Sequence, residues 1–132
     1  MFAACALFAC SVSRAQPNLV LLLSPPGDYI GLGLTYYTSD QAEIGISGSR
    51  STVQVTAFGY YIMFDAPGGS DLMVGRFTNA VSFPGNADVP GLSVLGNGRS
   101  CLSTACGAFD IREIRTDGSG QVVGFWATFS QS

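Results

Sequence analysis

The chain contains no lysine and no histidine, and charged residues of every kind make up only 11% of its 132 residues. Without histidine there is no imidazole to serve as a general base, and without lysine no amine to act as nucleophile or form a Schiff base. Acyl transfer by Ser-His-Asp or Cys-His arrangements is therefore excluded. The same absence leaves a cysteine pair without the histidines that would complete a zinc site. Positive charge rests on arginine alone, at Arg14, Arg50, Arg76, Arg99, Arg112 and Arg115, against nine carboxylates, for a net charge of −3. The arginines are spread along the sequence without a basic cluster, so a nucleic acid is not the expected partner. Long hydrophobic runs are also missing. The apolar stretch from Phe2 to about Val12 is interrupted by Arg14, Gln16, Pro17 and Asn18, short of the roughly 20 residues that span a bilayer. No internal repeat, low-complexity tract or linker divides the chain.

What is present is apolar material, 47% of the residues, with 17 glycines and 6 prolines. That composition and length suit one folded domain with a real core. At the N-terminus, the apolar run followed by Ser13 and Ala15 reads as a signal peptide over residues 1–15, with small residues at the −3 and −1 positions of the cleavage site. An alternative is a lipoprotein, because "LFAC" resembles a lipobox in which Cys10 would be acylated. Both readings place the protein outside the cytoplasm, in the periplasm or the extracellular space. Cys5 and Cys10 fall in that segment, which leaves Cys101 and Cys106. In an oxidising compartment these near neighbours are expected to form a disulfide.

Glycine and proline punctuate the rest at short intervals, and the segments between them favour β-branched and aromatic residues at period two. This pattern predicts an all-β antiparallel sandwich of about seven or eight strands, jelly-roll or Ig-like, over residues 19–132. Strands are expected at 19–23, 28–38, 43–47, 52–58, 60–65, 71–83 with a bend near Gly75, and 92–95. A closing hairpin of "GAFDIREIR" and "QVVGFWATFS" is joined by the turn "TDGSG". In its last strand Val123, Phe125, Ala127 and Phe129 should share one face, and Val122, Gly124, Trp126 and Thr128 the other.

The segments "PGDYIGLGLTYYT", "FDAPGGSDLMVGRFTNAV", "PGLSVLGNGRSC" and "GAFDIREIRTDGSGQVVGFWATFSQ" follow one another over nearly all of residues 24–132. In them the chain resembles a family of uncharacterised exported bacterial single-domain β-sandwich proteins. The resemblance implies the fold and the compartment, with no established activity, cofactor or catalytic residue. Similar proteins place one cysteine after "GNGR" and a second at the C-terminal end after "F-x-Q". Here the chain ends "FSQS" and Cys106 lies near Cys101, so the Cys101–Cys106 bridge is read from this chain alone.

Four features carry candidate chemistry. The carboxylates Asp28, Asp40, Glu43, Asp65, Asp71, Asp88, Asp110, Glu113 and Asp117 could supply a glycosidase pair, although most sit in turn-like stretches where aspartate initiates turns. Asp65 and Asp71 in "DAPGGSD" offer oxygens to a calcium ion but lack the spacing of an EF-hand loop, and a plain turn explains them better. No cofactor is expected. Arg99, in "LGNGRSC", is either an anion-recognising guanidinium or a solvent-facing turn residue. Finally, Gly31 and Gly33 cut a notch into the expected strand 28–38. Either Trp126, Phe58 or Tyr60 fills it, or Tyr29 and Tyr37 flank an open trough that suits a sugar ring.

The expected function is therefore an exported, non-catalytic binding or surface-interaction module for an extracellular polysaccharide or a partner protein. Tyr29, Tyr37, Trp126 and Arg99 are its candidate contacts. A small secreted glycosidase-like enzyme and a structural envelope protein are the alternatives.

Overall fold

The structure, a computed structural model, describes residues 7–8, 19–100 and 107–131. Most of residues 1–15, expected from the sequence to be an export signal, Cys10 among them, and the Cys101–Cys106 pair lie outside the described residues.

Turn chemistry organises the central sheet. The strands β4 (Gly45–Gly48), β5 (Thr52–Ala57), β6 (Tyr60–Asp65), β8 (Gly91–Gly96) and β9 (Arg99–Ser100) form one antiparallel sheet in the order β4-β5-β6-β8-β9. Two of its connections are two-residue turns, Phe58-Gly59 and Asn97-Gly98, and all four of these residues have positive φ. This is the primed geometry that matches strand twist. It ends β5 at Ala57, one residue short of the expected limit.

A second sheet is built from β7 (Gly75–Ala80), β10 (Gly107–Thr116) and β11 (Val122–Gln131), in the order β11-β10-β7. The "TDGSG" turn that joins the long strands is closed by Asp117, whose carboxylate accepts from the backbone N–H groups of Ser119 and Gln121. A third, small sheet consists of β1 (Leu7–Phe8), β2 (Leu19–Leu23) and β3 (Thr35–Thr38).

Alternation decides how the sheets stack. Val53, Val55 and Ala57 on β5, Tyr60, Ile62 and Phe64 on β6, and Leu92 and Val94 on β8 are buried, and they face Phe109, Ile111, Phe125, Ala127 and Phe129 of the second sheet. Phe64 is the centre of this contact, with ring centroids 5.2 Å from Phe109, 5.2 Å from Phe125 and 5.8 Å from Phe129. Edge-to-face aromatic contacts of this kind add about 0.5–1.5 kcal/mol each beyond area burial. Val20, Leu22 and Ile30 extend the core under the small sheet. The fold is thus an all-β antiparallel sandwich, and its two main sheets also meet at single bridges, Ser49 with Gln121 and Val81 with Gly91.

The strand expected over 28–38 is shorter than its sequence suggests: only Thr35–Thr38 is extended, and residues 26–33 form consecutive turns. The cause is Asp28, which is buried and accepts hydrogen bonds from the backbone N–H of Ile30 (3.0 Å) and Gly31 (3.0 Å) and from the Ser24 hydroxyl. The chain curls around its carboxylate, and Leu32 and Gly33 both take positive φ. Leu32 and Leu34, which alternation along a continuous strand over 28–38 would turn to the core with Ile30, are exposed as a result.

Residues 71–74 are likewise irregular, with Met73 and Val74 exposed. Glu43, expected to open a strand, belongs to a short 3₁₀ turn over Gln41–Glu43 that is capped by the Asp40 side chain. β7 carries a bulge, because Gly107 faces Ala80 while Phe109 faces Phe77, and Asn79 within it has φ 57°. In the closing hairpin, Val123 is an extra residue between the pairs Arg115–Gly124 and Thr116–Val122. The bulge turns Val123 to solvent and Val122 into the core, which reverses the assignment expected for both.

Candidate functional site

The outer face of the three-stranded sheet gathers polar chemistry around one aromatic ring. Along β10, Phe109, Ile111 and Ile114 are buried, so Asp110, Arg112, Glu113 and Arg115 point away from the core. Two successive residues, Arg112 and Glu113, face outward together because the ladder slips there: Ile111 pairs with Ala127 and Glu113 pairs with Trp126. Along β11, Gly124, Trp126, Thr128 and Ser130 occupy the outward positions. At about 3.4 Å per residue they form a track of about 20 Å.

Trp126 stands in the middle of that track, 38% exposed. On one side, the Arg115 guanidinium lies over Gly124, where a Cβ would come within 2.8 Å of its Nε. Arg115 Nε is shielded from solvent and forms an ion pair with Glu113 Oε2 at 3.4 Å without a hydrogen bond. On the other side, Arg76 Nη1 donates to Asp110 Oδ2 at 2.7 Å, and this pair borders a groove of about 190 Å³ lined also by Ala108, Thr128 and Ser130. Three of the six arginines, Arg76, Arg112 and Arg115, therefore share one face that sequence order had kept apart. Such a face offers forked donors, carboxylate acceptors and hydroxyls beside an apolar platform.

The other expected contacts lie elsewhere. Tyr29 and Tyr37 are 66% and 61% exposed, Tyr29 in the Asp28 loop and Tyr37 on the solvent side of β3 opposite Leu21. With Leu23, Leu32 and Leu34 they make the β2–β3 region rich in exposed apolar side chains.

The notch between these tyrosines has a different filling from either expectation. A Cβ on Gly31 would collide with Ser24, and one on Gly33 would stand 3.2 Å from Pro26 Cα. The space is taken by the loop itself, and Trp126 belongs to the outer face of another sheet.

Arg99 is engaged with its own chain. Its Nε donates to the Ile30 carbonyl at 3.0 Å, Nη2 to the Tyr60 hydroxyl at 3.3 Å and Nη1 to the Asn97 carbonyl at 3.3 Å. Tyr60 in turn donates to Ile30 O at 2.8 Å, and Tyr36 stands 3.4 Å from Tyr60, oxygen to oxygen. Arg99 thus fastens the Asp28 loop to the central sheet. Burial pushes the Tyr60 phenol up, but hydrogen bonds from Tyr36, Arg99 and Asn97, with the Arg99 charge, carry it below its ordinary range. The hydrogen bond with Tyr60, then burial, raises Tyr36.

Most of the candidate carboxylates have structural partners. Asp65 accepts from the Thr52 hydroxyl and from Gly85 N–H, while Asp71 is exposed. No group of three or more metal-ligating side chains occurs among the described residues. Glu43 accepts from Thr38, and Asp40 and Asp117 hold turns. Asp110 and Glu113 share the outward face of β10, and each is engaged by an arginine.

Alternation along β11 puts Gly124, Trp126 and Thr128 on one outward face, as expected, whereas the β10 side of the face, where Arg112 and Glu113 point outward together, depends on a one-residue slip at Arg112. The apolar residues Ile111 and Ile114, three apart in an otherwise alternating strand, were the available sign. Compared with known proteins, the chain matches no family model, no curated protein and no solved structure.

Proposed function

We propose that the protein is an exported, non-catalytic binding module that recognises an extracellular polysaccharide through the outer face of the β11-β10-β7 sheet. The observation that carries this reading is the outward projection of Trp126 from a sheet face where Arg115, Glu113, Thr128, Asp110 and Arg76 surround it. An exposed indole is an apolar platform with a polar edge, and a sugar ring presents an apolar C–H face ringed by hydroxyls. The surrounding guanidinium and carboxylate groups donate to and accept from those hydroxyls. The track runs along β11, which suits an extended polymer. The N-terminal export signal read from the sequence supports the compartment in which such polymers occur.

The test is retention of the mature protein on a panel of insoluble polysaccharides, with calcium and with chelator, alongside release of reducing sugar. Retention on one polymer, weakened about tenfold or more in Trp126→Ala, with no sugar released, is the expected result. Sugar release that disappears in Asp110→Asn or Glu113→Gln would replace binding with glycoside hydrolysis. Absence of retention on every polymer would overturn the reading. A protein partner is the second reading, favoured by the exposed Leu23, Tyr29, Leu32, Leu34 and Tyr37 around the β2–β3 hairpin. In that case Tyr29→Ala or Tyr37→Ala, rather than Trp126→Ala, removes the interaction.

A further inference from the structure

The opposite side of the sandwich carries a second aromatic on a solvent-facing sheet. On β6, Tyr60, Ile62 and Phe64 are buried, and Tyr61 between them points to the far side, 47% exposed. The ladder places Tyr61 between Thr56 on β5 and Leu95 on β8. The next row along the face runs from Gln54 through Met63 and ends at Ser93, which is buried and accepts from Phe83 N–H.

A groove of about 290 Å³ opens beside the ring, bordered by Glu43, Thr56, Gly59 and Tyr61. The row stays open at its edge because Gly45 stands opposite Thr56, where any side chain would collide with the threonine hydroxyl. The outward positions of β4, β5 and β6 carry Ser47, Thr52, Gln54, Thr56, Tyr61, Met63 and Asp65, with Leu95 beside Tyr61 on β8, and no arginine. This face therefore offers hydroxyl and amide hydrogen bonding beside an aromatic platform without net positive charge, the chemistry of an uncharged sugar.

We infer that Tyr61, with Thr56, Gln54 and Glu43, forms a second polysaccharide site, and that the protein is bivalent. The inference rests on the carbohydrate reading of the Trp126 face. Phe64 lies beneath the Tyr61 face and packs on Phe109 and Phe125 beneath the Trp126 face, so the two sites look in opposite directions across two sheets spaced about 10 Å apart. One straight segment of polymer cannot lie on both. Two strands can, and the protein then cross-links them. Simultaneous engagement on a dense polymer also raises apparent affinity well beyond that of either site.

The experiment uses the mature protein and the polymer that retains it, in soluble form for light scattering and in insoluble form for retention. The wild type is expected to raise scattering through a maximum as protein concentration increases. Trp126→Ala and Tyr61→Ala are each expected to abolish that rise while still binding, with retention about tenfold to a hundredfold weaker. The double variant is expected not to bind. A Tyr61→Ala protein that cross-links and binds like the wild type overturns the second site, as does complete loss of binding in Trp126→Ala alone. In both cases the polysaccharide reading of the Trp126 face stands. A wild type retained by no polymer overturns that reading and this inference together.

Discussion

Trp126 faces Glu113 across the β10–β11 ladder, although its neighbour Ala127 faces Ile111. Arg112 has no partner on β11 and bulges outward beside Glu113, and the alternation of buried residues resumes at Ile114. Because the bulge counts as one position, removing it leaves Ile111 and Ile114 on the same side.

Deleting Arg112 is therefore expected to give a folded protein with Glu113 still opposite Trp126, at a cost of about 1 kcal/mol or less in urea unfolding. If the bulge were instead required to hold the hairpin in register, the deletion would turn the apolar residues of half a strand outward. Unfolded or aggregated protein would result. Near-native circular dichroism with at most a small drop in the unfolding midpoint supports the first outcome, and loss of the native signal the second.

The packing of Gly31 against Ser24 and the Asp28 carboxylate makes Gly31→Ala a test of the loop. An expected loss of about 1–3 kcal/mol follows from overpacking a closed site. Gly118, in the hairpin turn, has nothing within 4 Å of its would-be Cβ and no positive φ, so Gly118→Ala should change stability by about 0.5 kcal/mol or less. Equal effects in denaturant titration would mean that the Asp28 loop has room that its geometry denies.

Arg99 stabilises the ionised forms of both Tyr60 and Tyr36 through its charge. Replacing it with alanine is expected to move the phenolate absorbance of the pair to higher pH. The sign for stability follows. In the wild type Tyr60 ionises below its ordinary 10.0, so its contribution is present above that value and is lost as pH falls through the folded pKa. Tyr36 is raised, and its contribution is present below 10.0 and lost as pH rises through its folded pKa. Without Arg99 the Tyr60 contribution disappears, and alkaline unfolding should begin at lower pH. An unmoved phenolate transition would show that the guanidinium does not reach Tyr60 in solution.

The parts of this fold that could be read from the chain are those fixed by neighbours in sequence. The period-two runs at Val53–Ala57 and Tyr60–Phe64 and the "TDGSG" turn are strands and a hairpin because alternation and turn residues act locally. The Gly31–Gly33 stretch misleads by the same rule, since glycines two apart imitate alternation. The partner that decides their conformation is the buried carboxylate of Asp28, though "PPGD" just before them already had turn composition. Alternation also places Trp126 with Gly124 and Thr128, but the bulges at Arg112 and Val123 depend on pairing between strands, so the β10 partners of Trp126 and the burial of Val122 follow only from the register. Arg99 and Ile30 lie 69 residues apart, a contact that local pattern does not encode.

The bulge at Asn79 has a bearing on how the protein behaves at high concentration. β7 is one of the two outer strands of its sheet, and a regular outer strand is a template on which a second chain can grow. Asn79, with its left-handed backbone, breaks the row of N–H and C=O groups, and the exposed Arg76 puts a charge on the same strand. Where copies of the chain reach high concentration, this border is one on which they do not readily add.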